Sequence, residues 1–228
     1  MPLLGLLVAV LLLPFATARW VPTDARPALS YLVVWVPFVV AIVLSCVRAV
    51  RGTEAAWWRA LDLRLAGWGV IVGLFVGLLV RSAAFVLELV GTGRLAGGEV
   101  AIDGGSPGVA ELVGLLVASI LIGPIVEEGL FRGVLQPALI ERLGSGRPAV
   151  WVGVALTAAL FALVHAIAGS GLLSAVITFV AGLGLGVVAR ANGLVASTVA
   201  HATFNATGVV LLLVNTPRSP LRPTLGLG

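Results

Sequence analysis

Long runs of Leu, Val, Ala and Gly, broken by short islands of charge, set the pattern of this chain. Seven runs, at about 2–17, 28–47, 66–90, 109–136, 149–168, 171–189 and 194–214, each approach the roughly 20 residues that cross a hydrocarbon core. None alternates apolar and polar positions as a barrel strand does, and backbone groups in lipid need partners within their own segment. The pattern therefore predicts an all-α fold, a polytopic transmembrane helical bundle of about seven spans. Residues 1–108 hold three spans, 109–214 the remaining four, and 215–228, with three prolines, form an irregular tail.

Composition strengthens this reading. Of 228 residues 60% are hydrophobic and 11% charged, which excludes a soluble domain with one core. All fourteen basic residues are arginines, and the net charge of +4 is spread over several loops rather than along one stripe. That distribution fits anionic lipid heads and topology marking and argues against a nucleic-acid partner. A single cysteine, Cys46, excludes a disulfide framework and a thiolate metal cluster.

Charge also orients the chain. The segment Arg48 to Arg64 carries four arginines against Glu54 and Asp62, with Trp57 and Trp58 suited to the headgroup layer, so it is expected on the cytoplasmic side. The N-terminus is then cytoplasmic in a multi-pass cell-membrane protein. The connection 91–108, with Arg94, Glu99 and Asp103, faces outward, and Arg142, Arg147 and Arg190 fall inside. A seven-span count puts Arg218 and Arg222 outside, against the rule. Ala16-Thr17-Ala18 has the form of a signal-peptidase site, but no Lys or Arg precedes the apolar run, which argues against a cleaved signal.

Chemistry concentrates in Pro124-Ile-Val-Glu127-Glu128-Gly-Leu-Phe-Arg132, two carboxylates and a guanidinium inside an apolar span. Each such charge costs roughly 2.5–3.5 kcal/mol at the centre of a bilayer. Glu128 and Arg132, one helical turn apart, can pair, whereas Glu127 is rotated about 100° away and is left to act as a general base. Pro124 cannot donate to the Ile120 carbonyl, so the helix should loosen just before the acidic pair and let water in. Arg81 and Glu88 lie two turns apart on the third span. At about 10 Å of axial separation they are expected not to touch, and to serve as packing or interface charges.

Both histidines, His165 and His201, lie within apolar spans. Asn205 is one turn beyond His201 on the same face, and Phe161 one turn before His165 as an apolar wall. A lone intramembrane histidine is often only a packing residue. Together with Glu127 and the Glu128–Arg132 pair, however, these groups should converge on one interior cavity, because lipid exposure would be costly. Depths counted from the cytoplasmic ends, about 10, 14 and 22 Å for His201, Glu127 and His165, leave several ångströms for tilt to close.

Glu-Glu-x-x-x-Arg at 127–132, Phe-x-x-x-His at 161–165 and His-x-x-x-Asn at 201–205, in that order on successive apolar segments, resemble the CPBP family of CAAX proteases and bacteriocin-processing enzymes, also called Abi. The run Gly182 to His201 is similar to that family as well, and the likeness covers about residues 112–214. It implies an intramembrane endopeptidase core acting on a peptide or protein substrate at the lipid bilayer. Glu127 would activate water with help from His165, His201 and Asn205 would stabilise the oxyanion, and Glu128 and Arg132 would hold the helix. The family is commonly labelled metalloprotease. Hydrolysis with no cofactor is the favoured expectation, although two histidines and a glutamate could fill three zinc positions; the HExxH spacing is absent.

Other protease chemistries fit poorly. Asp24, Asp62 and Asp103 all fall in connections, which leaves an aspartyl enzyme without its pair, and Ser170 sits between two glycines in a short connection. The run Gly182-Leu-Gly-Leu-Gly186 lacks the preceding strand of a nucleotide loop and instead permits close helix approach. The alternative function is a non-catalytic binding or bacteriocin self-immunity protein that uses the same polar cluster.

Overall fold

The computed structural model describes residues 1–22, 25–53, 60–64, 67–93, 113–114, 116–144 and 146–215. Asp24, Glu54 to Arg59, the connection with Arg94, Glu99 and Asp103, and the tail with Arg218 and Arg222 lie outside the described residues. The fold is all-α. Helices α1 (Pro2–Ala16), α2 (Arg26–Ala49) and α3 (Gly67–Thr92) come first. Helix α4 is composite: Val117–Ile122 and Gly129–Leu135 are wound as π-helix, and Gly123–Glu128 and Gln136–Leu143 as α-helix, in one unbroken run. Helices α5 (Arg147–His165), α6 (Gly171–Asn192) and α7 (Leu194–Asn215) complete the bundle.

Among the described residues five helices are long and apolar enough to cross a membrane, which makes this a multi-pass membrane protein. Helix α1, with 15 residues, is shorter than the expected first span. At 1.5 Å per residue it reaches about 22 Å, less than a ~30 Å hydrocarbon core. The fourth run, expected to end near 136, continues to Leu143. Ser170 closes a π-helical turn, Ala166–Ser170, that extends α5 rather than lying in a connection. A single residue, Gly193, joins α6 to α7 at φ 91°, a conformation that a side chain would strain.

Helix α4 sits at the centre. Its Leu130, Phe131 and Leu135 pack with Phe38 and Ile42 of α2, Leu6 and Ala9 of α1, and Phe161 and Val164 of α5. A second apolar cluster joins Leu185 and Val188 of α6 to Ala196 and Ala200 of α7, with Val72 and Val76 of α3 against it. Small residues set these crossings. A Cβ at Gly73 would lie 2.5 Å from the Ala196 carbonyl oxygen, and one at Gly77 equally close to that of Ala200, so the backbones of α3 and α7 nearly touch. Because successive glycines of α3 meet successive residues of α7, the two helices run parallel.

One sequence expectation fails here. Arg81 and Glu88 do touch: Arg81 Nη2 donates to Glu88 Oε1 at 3.3 Å, with both residues buried. Seven residues return to nearly the same face, and the long arginine stem spans the two turns that a Cα-to-Cα count treats as a gap. The guanidinium is also sandwiched between the Phe85 and Phe204 rings, at 4.7 and 4.9 Å, which ties α3 to α7.

Candidate active site

The α4 segment between its two π-helical stretches carries both glutamates. Glu128 points inward and is fully buried; Arg132 Nη1 donates to its Oε1 at 2.8 Å, as the one-turn spacing requires. Arg132 is held further by donating Nη2 to the Gly182 carbonyl at 3.2 Å. The next turn repeats the device, Gln136 Nε2 donating to the Gly186 carbonyl at 3.0 Å. Both contacts depend on α6 presenting bare backbone at its glycines. A Cβ at Gly186 would stand 2.7 Å from Gln136 Oε1.

From α7, two further groups converge on Glu128. Ser197 donates its hydroxyl to Oε2, and His201 donates Nδ1–H to Oε1 at 3.0 Å. The buried carboxylate thus receives a guanidinium, a hydroxyl and an imidazole, a satisfied network of the kind a buried charge needs. Glu127, adjacent in sequence, turns elsewhere. Its side chain is 19% exposed, and its Oε2 lies 3.8 Å from His201 Nε2. His201 therefore stands between the two glutamates, one ring nitrogen on each.

Aromatic rings form the wall behind. Phe161 lies 4.5 Å from the His165 ring and 5.7 Å edge-on from His201, centroid to centroid, and Arg132 sits 4.6 Å over its face. Phe131 meets Phe161 edge-on at 5.0 Å. Such contacts are each worth about 0.5–1.5 kcal/mol beyond burial, and they bring His165 and His201 to the same ring despite the depth mismatch expected from the sequence. His165 Nδ1 donates to the Phe161 carbonyl at 2.9 Å, which fixes the ring and turns Nε2 to the opposite side.

The fourth group is anchored by a defect in α4. Gly123 N–H donates to the Ala118 carbonyl, five residues back, so the next nitrogen in that register, Pro124, faces the carbonyl of Ser119. Proline has no N–H to offer. Asn205 Nδ2 donates to the Ser119 carbonyl at 2.7 Å instead, fastening α7 to the loosened turn. The loosening anticipated at Pro124 is present, but the π register moves the affected carbonyl from Ile120 to Ser119.

Two contributions escaped the sequence reading. Ser197 precedes His201 by four residues and Asn205 follows by four, so a single face of α7 carries all three; that stripe was available in the spacing. Trp35 of α2 was not available. It lies beside Gly123, where a Cβ would come 3.6 Å from its ring and 3.7 Å from Glu127 Oε1, and Tyr31 stacks on it at 4.6 Å. Among the described residues, no three His, Cys, Asp or Glu side chains stand together as a metal site.

Residues 109–207 match the family model described as Rce1-like, type II CAAX prenyl endopeptidase. No curated protein and no solved structure matches the chain.

Proposed function

Because residues 109–207 match the model of the Rce1-like type II CAAX prenyl endopeptidases, we propose that this chain is an intramembrane endopeptidase of that family. It cleaves a peptide bond in a membrane-proximal protein or peptide of the CAAX type. One observation carries the reading: Glu127 faces Nε2 of a histidine whose Nδ1 is held by the neighbouring buried carboxylate. A water at about 2.8 Å from both Glu127 Oε2 and His201 Nε2 fits their 3.8 Å separation in a bent arrangement.

In the proposed reaction Glu127 takes a proton from that water as its oxygen attacks the scissile carbonyl carbon, with His165 Nε2 assisting as a second acceptor. The carbonyl π electrons move to oxygen. The resulting oxyanion is met by His201, when Nε2 carries a proton, and by the Asn205 amide, fixed donors in a water-poor site. Collapse breaks the C–N bond, and Glu127 returns its proton to the leaving amine. Glu128 orients the His201 ring as the buried carboxylate of a catalytic triad orients its histidine. Arg132 and Ser197 hold Glu128. In this reading water activation rests on these side chains, with no metal required, and the arginine-rich segment 48–64 supports a cytoplasmic N-terminus.

Hydrolysis of a fluorogenic peptide library in detergent tests this. Wild type should cleave, with or without chelator, and Glu127→Ala should not. Equal cleavage by the variant removes Glu127 from the mechanism; loss of activity to the chelator overturns the metal-free part.

A further inference from the structure

We propose that the α1–α2 hairpin and α4 form a binding site for one anionic phospholipid, separate from the Glu127 cluster and independent of the proteolytic reading. Two hollows meet there. The first, of about 480 Å³, is walled by Ser45 and Arg48 from the end of α2 and by Gly133, Pro137, Glu141 and Arg142 from α4. The second, of about 520 Å³, is an apolar groove between α1 and α2 that runs from Leu44 to Leu32 on one side and Met1 to Leu12 on the other. Met1 lines both, so the two adjoin at that residue.

The polar hollow is built for a phosphate. Arg48 and Arg142 are exposed and form no ion pair among the described residues, and two guanidiniums match phosphate oxygens in pairs. Ser45 stands on this wall, and its Oγ has no hydrogen-bond partner among the described residues, a donor that a turn about χ1 would offer to a phosphate oxygen. Among the described residues Glu141 is the one carboxylate on this wall, so the arginines there leave an excess of positive charge.

The groove is built for an acyl chain of one leaflet. Leu32 and Leu44 are twelve residues apart, which is about 18 Å along a helix, a little over half of a ~30 Å hydrocarbon core. Its floor exists because Gly5 lets α1 lie directly on α2; a Cβ there would collide with Ala41 and stand 2.9 Å from the Pro37 carbonyl oxygen. Exposed Val8, Leu12, Val36 and Val40 form the rims. A lipid seated this way would put its phosphate between α2 and the turn of α4 that follows Arg132, bracing the helix that carries both glutamates. A free phosphate would use only half of the site, and a zwitterionic headgroup would bring a cation to two arginines.

Native mass spectrometry of the full chain in detergent, titrated with palmitoyl-oleoyl phosphatidylglycerol or phosphatidylcholine, reads the occupancy directly. One phosphatidylglycerol should be retained at least fivefold more tightly than phosphatidylcholine. Arg48→Gln/Arg142→Gln should erase that preference, Val8→Trp should weaken both lipids by blocking the groove, and Arg190→Gln, an exposed arginine elsewhere, should change nothing. Equal retention of the two lipids by wild type, or a preference that survives the double substitution, overturns the site. Competition by millimolar inorganic phosphate as complete as by the lipid reduces it to an anion site and overturns the groove. Displacement of the lipid by a prenylated tetrapeptide in the Glu127→Ala chain assigns the groove to substrate instead. None of these readouts depends on hydrolysis.

Discussion

The Nδ1 of His201 lies 3.0 Å from Oε1 of Glu128, across 73 residues of sequence and the interface between α4 and α7. The contact fixes which nitrogen of the ring faces inward and which is left for Glu127. It also separates the tasks of two adjacent glutamates, one fully buried and one partly open.

Exchanging each glutamate for its isostere should expose that division. Glu128→Gln leaves the Arg132 guanidinium buried without its anion, which typically costs about 3–5 kcal/mol, and frees the His201 ring. Glu127→Gln, at a site that is 19% exposed, should change stability by less than about 1 kcal/mol. Hydrolysis should nevertheless fall by about 10²–10⁴ in the second variant. Thermal unfolding and peptide cleavage measured on both variants check this; equal losses of stability would contradict the division.

Ser197→Ala removes a hydroxyl whose single hydrogen is shared between Glu128 Oε2 and the Leu185 carbonyl, 3.0 Å away. A deleted bond to a charged partner costs about 1.5–3 kcal/mol. Because Ser197 acts through Glu128 and His201 rather than on substrate, kcat should drop while KM stays level. A change confined to KM would place Ser197 at the substrate instead.

Gly73→Ala and Gly77→Ala should each push α3 off α7, since the new methyl group meets a backbone oxygen that cannot move aside. Overpacking of this kind costs about 1–3 kcal/mol. At Gly91 the nearest atoms belong to the flexible Leu173 side chain, so Gly91→Ala should be tolerated. Melting curves of the three variants in one detergent decide it, and similar midpoints for all three would deny that α3 and α7 are in backbone contact.

The Arg81–Glu88 pair is a structural tie on this geometry. Glu88→Leu alone strands a buried arginine and should lose about 3–5 kcal/mol, while Arg81→Met/Glu88→Leu should recover most of it. Cleavage by the double variant should remain near wild type. Loss of cleavage in a stable double variant would bring the pair into the chemistry.

The sequence by itself determined the helical class, because apolar run length and the need for internal backbone partners leave few alternatives in lipid. It also determined the Glu128–Arg132 pair, because residues four apart on a helix are neighbours wherever that helix sits. The motif letters brought Glu127, His165, His201 and Asn205 together as candidates. Their contacts were another matter.

Only the tertiary structure decided that Glu128 serves His201 and Ser197 as well as Arg132, that Asn205 fastens to Ser119, and that Arg81 reaches Glu88. The first two depend on how closely helices cross and on the π register around Pro124. The third depends on how a long side chain folds along its own helix. Spacing along a chain fixes the direction of a side chain from its axis, while partners across an interface are set by glycines that let backbones approach and by the rotation of each helix against the next.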